Sequence, residues 1–304
     1  MNTKYNSTLN MKENLKILLM AILFSVLWSS AFIAGKFGIE SSPPLFLLAI
    51  RFLLAGLFMV LIMGFIPSVK IPDRKPRSWL LALILGMLNN VLYLGLSFYA
   101  LQILPAGFIV IIISTAPIIT AVLAHFTLGE LLTKKKLAGL ILSICGVWLI
   151  VHGQLVEGDS TQFQLLGFAL VGLSTVSMTC GTIVYRRYAS DISPFWINTW
   201  STIIAGFIML VLSLLFENLS TVNLDRRFWI VSLYLALVVS IGAMLLWFHL
   251  IRTAGASKAS ACHFLNPVFG LVLAGVLLHE MPSFIGVLGV IPVCLGIGLV
   301  VRSR

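Results

Sequence analysis

Charge is what this chain has least of: only 10% of its 304 residues are Asp, Glu, Lys or Arg, ten acids against twenty bases. So little polar surface cannot coat a soluble protein of this length. The acids are few and scattered, so the clustered Asp, Glu or His of a metal-dependent lipid or diphosphate enzyme is missing. No glycine-rich loop ending in Lys-Ser or Lys-Thr is present, which argues against an ATP-driven pump in this single chain. An ion channel would show a filter-like loop or a ring-forming charge, and neither stands out. The four cysteines, Cys145, Cys180, Cys262 and Cys294, fall inside apolar runs without metal-ligand spacing and read as small packing residues. No cofactor motif is found, and the expectation is a chain without cofactors.

Apolar length is what it has instead. Sixty per cent of the residues are hydrophobic and the mean hydropathy is +1.07. Runs of about 20 apolar residues recur from end to end, each the thickness of a bilayer's hydrocarbon core. Backbone groups in lipid must be satisfied within the segment, so each run is read as a helix. Ten spans result: 16–39, 44–66, 78–101, 106–128 and 136–151, then 163–188, 194–216, 228–251, 256–278 and 284–301. Residues 1–15 form a polar tail, and the apolar run behind them is too long and aromatic for a cleaved signal.

The stretch 104–130 is written again as 254–280. Pro117 and Pro267, Glu130 and Glu280, Pro44 and Pro194, Gly56 and Gly206, Trp79 and Trp229, Gly139 and Gly289, and Gly146 and Gly296 all stand 150 residues apart. The chain is therefore two related halves, 16–153 and 164–304, joined by a linker at 154–163. Five spans per half is an odd number, so the second half enters the membrane from the opposite side. The basic residues set the direction: Lys4, Lys12, Lys16, Lys70, Arg74, Lys75, Arg77, Lys134, Lys135, Lys136, Arg186, Arg187, Arg252, Lys258, Arg302 and Arg304 share the side of the N-terminus. Lys36, Arg226 and Arg227 fall on the other, which places both termini in the cytoplasm and the linker outside. Inverted repeats are how many secondary transporters make two access states of similar energy, with the binding site at the midplane. The net charge of +10 lies in short clusters between apolar runs, so the expected partners are membrane lipids and a small-molecule substrate, with no nucleic acid.

Leu27-Trp28-Ser29-Ser30-Ala31-Phe32, Lys36, Pro44, Arg51-Phe52, Tyr99-Ala100-Leu101, Pro105-Ala106, Pro117 and Gly129-Glu130 resemble the EamA branch of the drug/metabolite transporter superfamily. In the second half the resemblance takes in Ala256, Ala259, Asn266-Pro267, Glu280 and Gly289. It implies an all-α integral membrane protein of ten transmembrane helices, arranged as two inverted five-helix EamA repeats in a bacterial inner membrane. It also implies movement of small metabolites, often amino acids or toxic compounds, commonly outward. The expectation is a secondary permease and not an enzyme. A membrane-embedded enzyme acting on lipid is the alternative. Met178-Thr179-Cys180 and Ser201 stand where the first half has Trp28-Ser29-Ser30 and Arg51, so the halves are expected to offer the substrate different groups.

Several residues are candidates for the path. Trp28, Ser29 and Ser30 lie halfway along the first span, away from the interface tryptophan prefers, either lining a cavity or packing within the bundle. Arg51 is seven residues past Pro44, about 10 Å into its span, where a guanidinium is expensive unless it meets water or a partner. No acid lies at matching depth, so Arg51 reads as part of a wet outer path that attracts a substrate carboxylate; snorkelling to outer head groups is the other reading. Asn89, Asn90 and Tyr93 occupy the third span as substrate contacts or interhelical glue, with Asn89 and Tyr93 on a shared face. Asn198 belongs with Ser174, Thr175, Ser177, Thr199 and Ser201 to a hydroxyl-rich wall. Pro117 and Pro267 each remove a backbone bond near the centre of equivalent helices, as gates or as static kinks. His263, three residues before Asn266 on one helical face, is the first candidate to carry a proton if transport is proton-coupled; a neutral, hydrogen-bonded histidine is the alternative. Glu130 and Glu280 end their spans as caps or as partners of bases such as Lys134. The glycines of the fifth and tenth spans suit internal packing or a homodimer through those two helices.

Overall fold

The computed structural model describes residues 2–65, 75–129, 131–157, 161–189, 191–254, 265–280 and 283–302. In chain order they form α1 (Asn2–Ile39), α2 (Pro44–Phe65), α3 (Pro76–Ala100), α4 (106–128), α5 (Lys134–Glu157), α6 (161–189), α7 (Pro194–Phe216), α8 (226–254), α9 (Asn266–Leu278) and α10 (Phe284–Arg302). No strand occurs among the described residues. The first eight helices are long and apolar enough to cross a bilayer, while α9 and α10 contribute the shorter apolar stretches Asn266–Leu278 and Phe284–Leu299. His263, Cys262 and Glu130 lie outside the described residues.

The helix starts are written in the sequence. Pro44, Pro76 and Pro194 occupy first turns, where no intrahelical N–H is needed. At the start of α8 the Asp225 carboxylate accepts from Phe228 N–H at 2.7 Å, a side-chain cap. One expectation changes here. Pro117 does not weaken the middle of a continuous helix, because α4 is two pieces, Ala106–Ile113 and Ala116–Leu128, and Pro117 lies in the first turn of the second. Ser114 and Thr115 form the junction, their hydroxyls donating back to Val110 O and Ile112 O. Pro267 likewise lies in the first turn of α9.

The packing obeys the 150-residue offset. Helix α2 packs on α7, α4 on α9, and α5 on α10. Helix α3 packs on α6 and α8 on α1; α1 packs on α9 and α6 on α4; α2 packs on α8 and α7 on α3. Exchanging every helix for the one five places along returns the same set, which is the signature of a two-fold axis between the halves. Side chains repeat it: Gly56 of α2 faces Ile203 of α7, and Gly206 of α7 faces Leu53 of α2. With an odd number of helices per half, that axis relates oppositely directed copies.

Helices α5 and α10 approach backbone to backbone. A Cβ placed on Gly146 would fall 2.7 Å from Gly289 O, and one placed on Gly289 would fall 2.7 Å from Gly146 O. Gly296 faces Gly139 O in the same way. These smooth faces are therefore taken up by contact inside one chain. Cys145 departs from its expected packing role: it is exposed, on the side of α5 turned away from α10, whereas Cys180 and Cys294 are half-buried.

The C-termini of α4 and α9 also match. Gly129 caps α4 at φ 70°, and His279 caps α9 at φ 55°, both left-handed. A side chain in that region costs about 1 kcal/mol or more relative to glycine. His279→Gly is expected to raise stability by up to about 1 kcal/mol, read as a higher melting temperature of the purified protein.

Candidate functional site

Polar side chains inside the bundle gather where α1, α2, α3, α8 and α9 meet. Ser29 of α1 is fully buried and donates to Asn266 O of α9 at 3.2 Å. The next residue, Ser30, donates to its own Leu27 O at 2.8 Å and lies 2.6 Å from the Tyr234 hydroxyl of α8. Trp28 sets its ring edge against Phe32, with centroids 5.7 Å apart. Adjacent serines thus fasten α1 to two helices of the other half, and Trp28 closes the row.

Widened turns bring the remaining groups in. Helix α3 carries a π-helical turn at Met87–Leu92 and α8 carries one at Tyr234–Ala243. The first segment moved by 150 residues falls within the second, and Asn90 maps onto Ser240. Such extra-residue turns recur at functional sites. On α8, Ser240 Oγ donates to Leu235 O at 3.0 Å, five residues back, leaving its lone pairs to accept from Arg51 Nε at 3.1 Å.

Arg51 is 4% exposed, not wet at an outer rim as expected. Its guanidinium lies over the Phe52 ring at 5.4 Å and within electrostatic reach of the buried Tyr93 of α3. Among the described residues no carboxylate pairs with it, and its Nη1 is buried without an acceptor.

Asn89 and Tyr93 meet different neighbours. Asn89 presses its amide against Gly181 of α6, while Tyr93 is buried within reach of α2. Asn89 lies in the π turn of α3 and Tyr93 directly follows it. Asn90 is half-buried in the same turn. Leu88 O in that turn accepts from Ser177 of α6 at 2.8 Å, and Ser97 meets Ser174 at 2.9 Å. Asn198 stands apart, its amide against Met59 Sδ at 3.4 Å. The rest of the hydroxyl wall bonds its own helices: Thr175, Thr179, Thr182, Thr199 and Ser201 all donate to carbonyls three or four residues back.

Two ends of the bundle carry ionic ties. At one end Lys36, in the last turn of α1, donates to Leu101 O at 2.5 Å and lies 3.6 Å from the Glu280 carboxylate. The same Glu280 accepts from Ala106 N–H at 2.7 Å, at the start of α4. Glu217, after α7, accepts from Leu45 and Phe46 N–H at 2.8 and 3.0 Å and from the Tyr99 hydroxyl at 3.3 Å. Arg227 pairs with Glu40. At the other end Arg77 pairs with Asp191 at 3.6 Å and donates to Tyr188 O at 2.6 Å, and Arg187 donates to Thr127 O at 2.7 Å. Glu280 and Lys36 are each within the pattern of the repeat, but their pairing joins positions 244 residues apart and had no sequence signal. Ser240 was detectable as the partner of Asn90 at the offset; Tyr234 and Glu217 were not.

The profile of the EamA-like transporter family matches residues 15–152 and again 165–302. A Bacillus subtilis protein described as uncharacterized transporter YvbV is 28% identical over 86% of this chain and 84% of its own length. An Escherichia coli protein described as a probable amino-acid metabolite efflux pump is 27% identical over 91% of this chain and 92% of its own. A solved structure with 17% identity superposes at a TM-score of 0.68 across 93% of this chain and 96% of that one, a likeness of fold. Two profile matches, one per half, together with ten apolar helices packed about a two-fold axis, place this chain in the EamA-like transporter family as a multi-pass membrane protein of two five-helix repeats.

Proposed function

We propose that this chain is a secondary permease that moves small organic metabolites, amino acids or related compounds, outward across the inner membrane by alternating access, with both termini in the cytoplasm. The observation that carries it is the two-fold packing of opposed halves around a polar seam. Opposed copies of one unit make an outward-open and an inward-open arrangement of comparable energy, because each is the two-fold image of the other. The kinship with an efflux pump of amino-acid metabolites supports the substrate class and direction. The excess of Lys and Arg on the N-terminal side supports the orientation.

In this reading Trp28, Ser29, Ser30, Asn89, Asn90, Tyr93 and Asn266 contact the solute, and His263 carries the proton if flux is coupled. The junctions at Pro117 and Pro267 let the halves of α4 and the start of α9 bend. A pairing of two copies through α5 and α10 uses the exposed Ile141, Ile144, Trp148, Ile291 and Leu295, since the glycine faces are occupied.

The test is efflux from vesicles containing the purified protein, with a panel of labelled amino acids, amines and organic acids, with and without a pH gradient. At least one class is expected to leave well above the rate from empty vesicles. Flux of none of them would end the permease reading, and flux indifferent to the gradient would remove His263 from a coupling role.

A further inference from the structure

We propose that Arg51, set by Ser240 and flanked by Tyr93 between α2, α3 and α8, is the receptor for one carboxylate group of the transported solute. The proposal deepens the permease reading and rests on it for the word transported.

A guanidinium carries five donors in a planar fork and accepts nothing. Here the Nε edge is used, because Ser240 Oγ accepts from it at 3.1 Å. That serine is itself fixed, since its hydrogen goes to Leu235 O across the π turn of α8. At the far end of the fork, Nη1 is buried and lacks an acceptor. A buried donor left unmet is unfavourable by itself, and a charge that deep in a membrane protein is more so. The site is therefore unsatisfied as it stands and is completed by an anion. A carboxylate is the anion whose two oxygens match two parallel N–H vectors of such a fork.

The surroundings select the class further. Among the described residues no Asp or Glu lies against Arg51 to neutralise it or to hold an ammonium group. Phe52 lies on one side of the guanidinium and Tyr93 is buried nearby, so the wall beside the carboxylate is apolar and aromatic. The repeat offers no second receptor: the position 150 residues on is Ser201, whose hydroxyl is turned to its own Asn198 O. One carboxylate is bound, in one half.

The experiment uses the purified full chain and four matched probes: leucine, leucinamide, 4-methylpentanoate and isopentylamine. Binding is read as the rise in melting temperature with probe concentration, and flux is read separately in vesicles. Leucine and 4-methylpentanoate are expected to bind, leucinamide and isopentylamine about 10- to 100-fold more weakly, the worth of one charge-assisted hydrogen-bonded contact. Arg51→Gln is expected to erase the difference between acid and amide, and Arg51→Lys to keep part of it, since the charge stays and the fork goes. If Arg51→Gln fails to fold, the acid-to-amide ratio in the wild type and its reduction in Arg51→Lys decide the matter. Equal binding of leucine and leucinamide, no binding of either carboxylate, or an unchanged ratio in Arg51→Lys would overturn the assignment. Binding that follows this pattern without any flux would leave the receptor standing and remove the permease.

Discussion

Replacing Gly146 by leucine is expected to pull α5 and α10 apart. The first added carbon would lie 2.7 Å from Gly289 O and 2.8 Å from Val293 N, both of them backbone atoms that cannot rotate away. Relief requires one whole helix to shift, and the rest of the leucine side chain then demands several more ångströms. Overpacking by a few carbons costs roughly 1–3 kcal/mol when side chains can adjust. With backbone on the receiving side, we expect the upper end of that range or more, a large share of a typical domain's 5–15 kcal/mol. The measurement is the melting temperature and the monodisperse fraction of detergent-solubilised protein. Gly275→Leu is the control, because nothing lies within 4 Å of a Cβ at that position of α9. Similar losses for both variants would mean that the α5–α10 contact is not a constraint on the fold.

The second large effect is expected at Glu280. Its carboxylate ends on the first free N–H of α4, at Ala106, and on Lys36, whose ammonium group holds Leu101 O at the end of the turn before α4. An anion at a helix N-terminus and a cation at a helix C-terminus are each favoured by the partial charges there. The pair therefore ties α1 and the α3–α4 turn of one half to the end of α9 in the other. Side chains 26% and 17% exposed are sheltered enough for the loss of one partner to matter, about 1–3 kcal/mol. We expect Glu280→Ala to free this end of the bundle, which our orientation places outside. A cysteine introduced at Leu104, which is 1% exposed, should then react roughly ten times faster with an impermeant maleimide. Exchanging the charges, Lys36→Glu with Glu280→Lys, should not restore protection. A lysine cannot accept from Ala106 N–H and a glutamate cannot donate to Leu101 O. Full restoration would reduce the tie to simple ion pairing.

Much of this architecture was legible in the chain itself, and the reasons are physical. Pro, Gly and Glu punctuate helices, so their recurrence at one interval exposed the repeat. Hydrocarbon thickness set the span lengths, and helix starts followed Pro44 and Pro194. Other features had no such imprint. A π turn is an insertion in geometry without a residue type of its own, so the one at Met87–Leu92 left no mark in the sequence. Arg51 was singled out by the cost of its depth. Its burial depended on Ser240 and α8, which only tertiary packing brings to it. Pro117 was seen as a weak point of one helix, whereas Ser114 and Thr115 make it the beginning of another.

The matched π turns of α3 and α8 have one more consequence. Each holds a surplus residue, and a surplus can be removed. Deleting one residue between 87 and 92 would let α3 close into ordinary helix with the stretch beyond it kept in its orientation, because the wide turn is what absorbs the extra residue. Tyr99 would then still face Glu217, while Asn89 and Asn90 would lose the positions that the wide turn gives them. The bundle keeps time, in effect, by a skipped beat written once in each half.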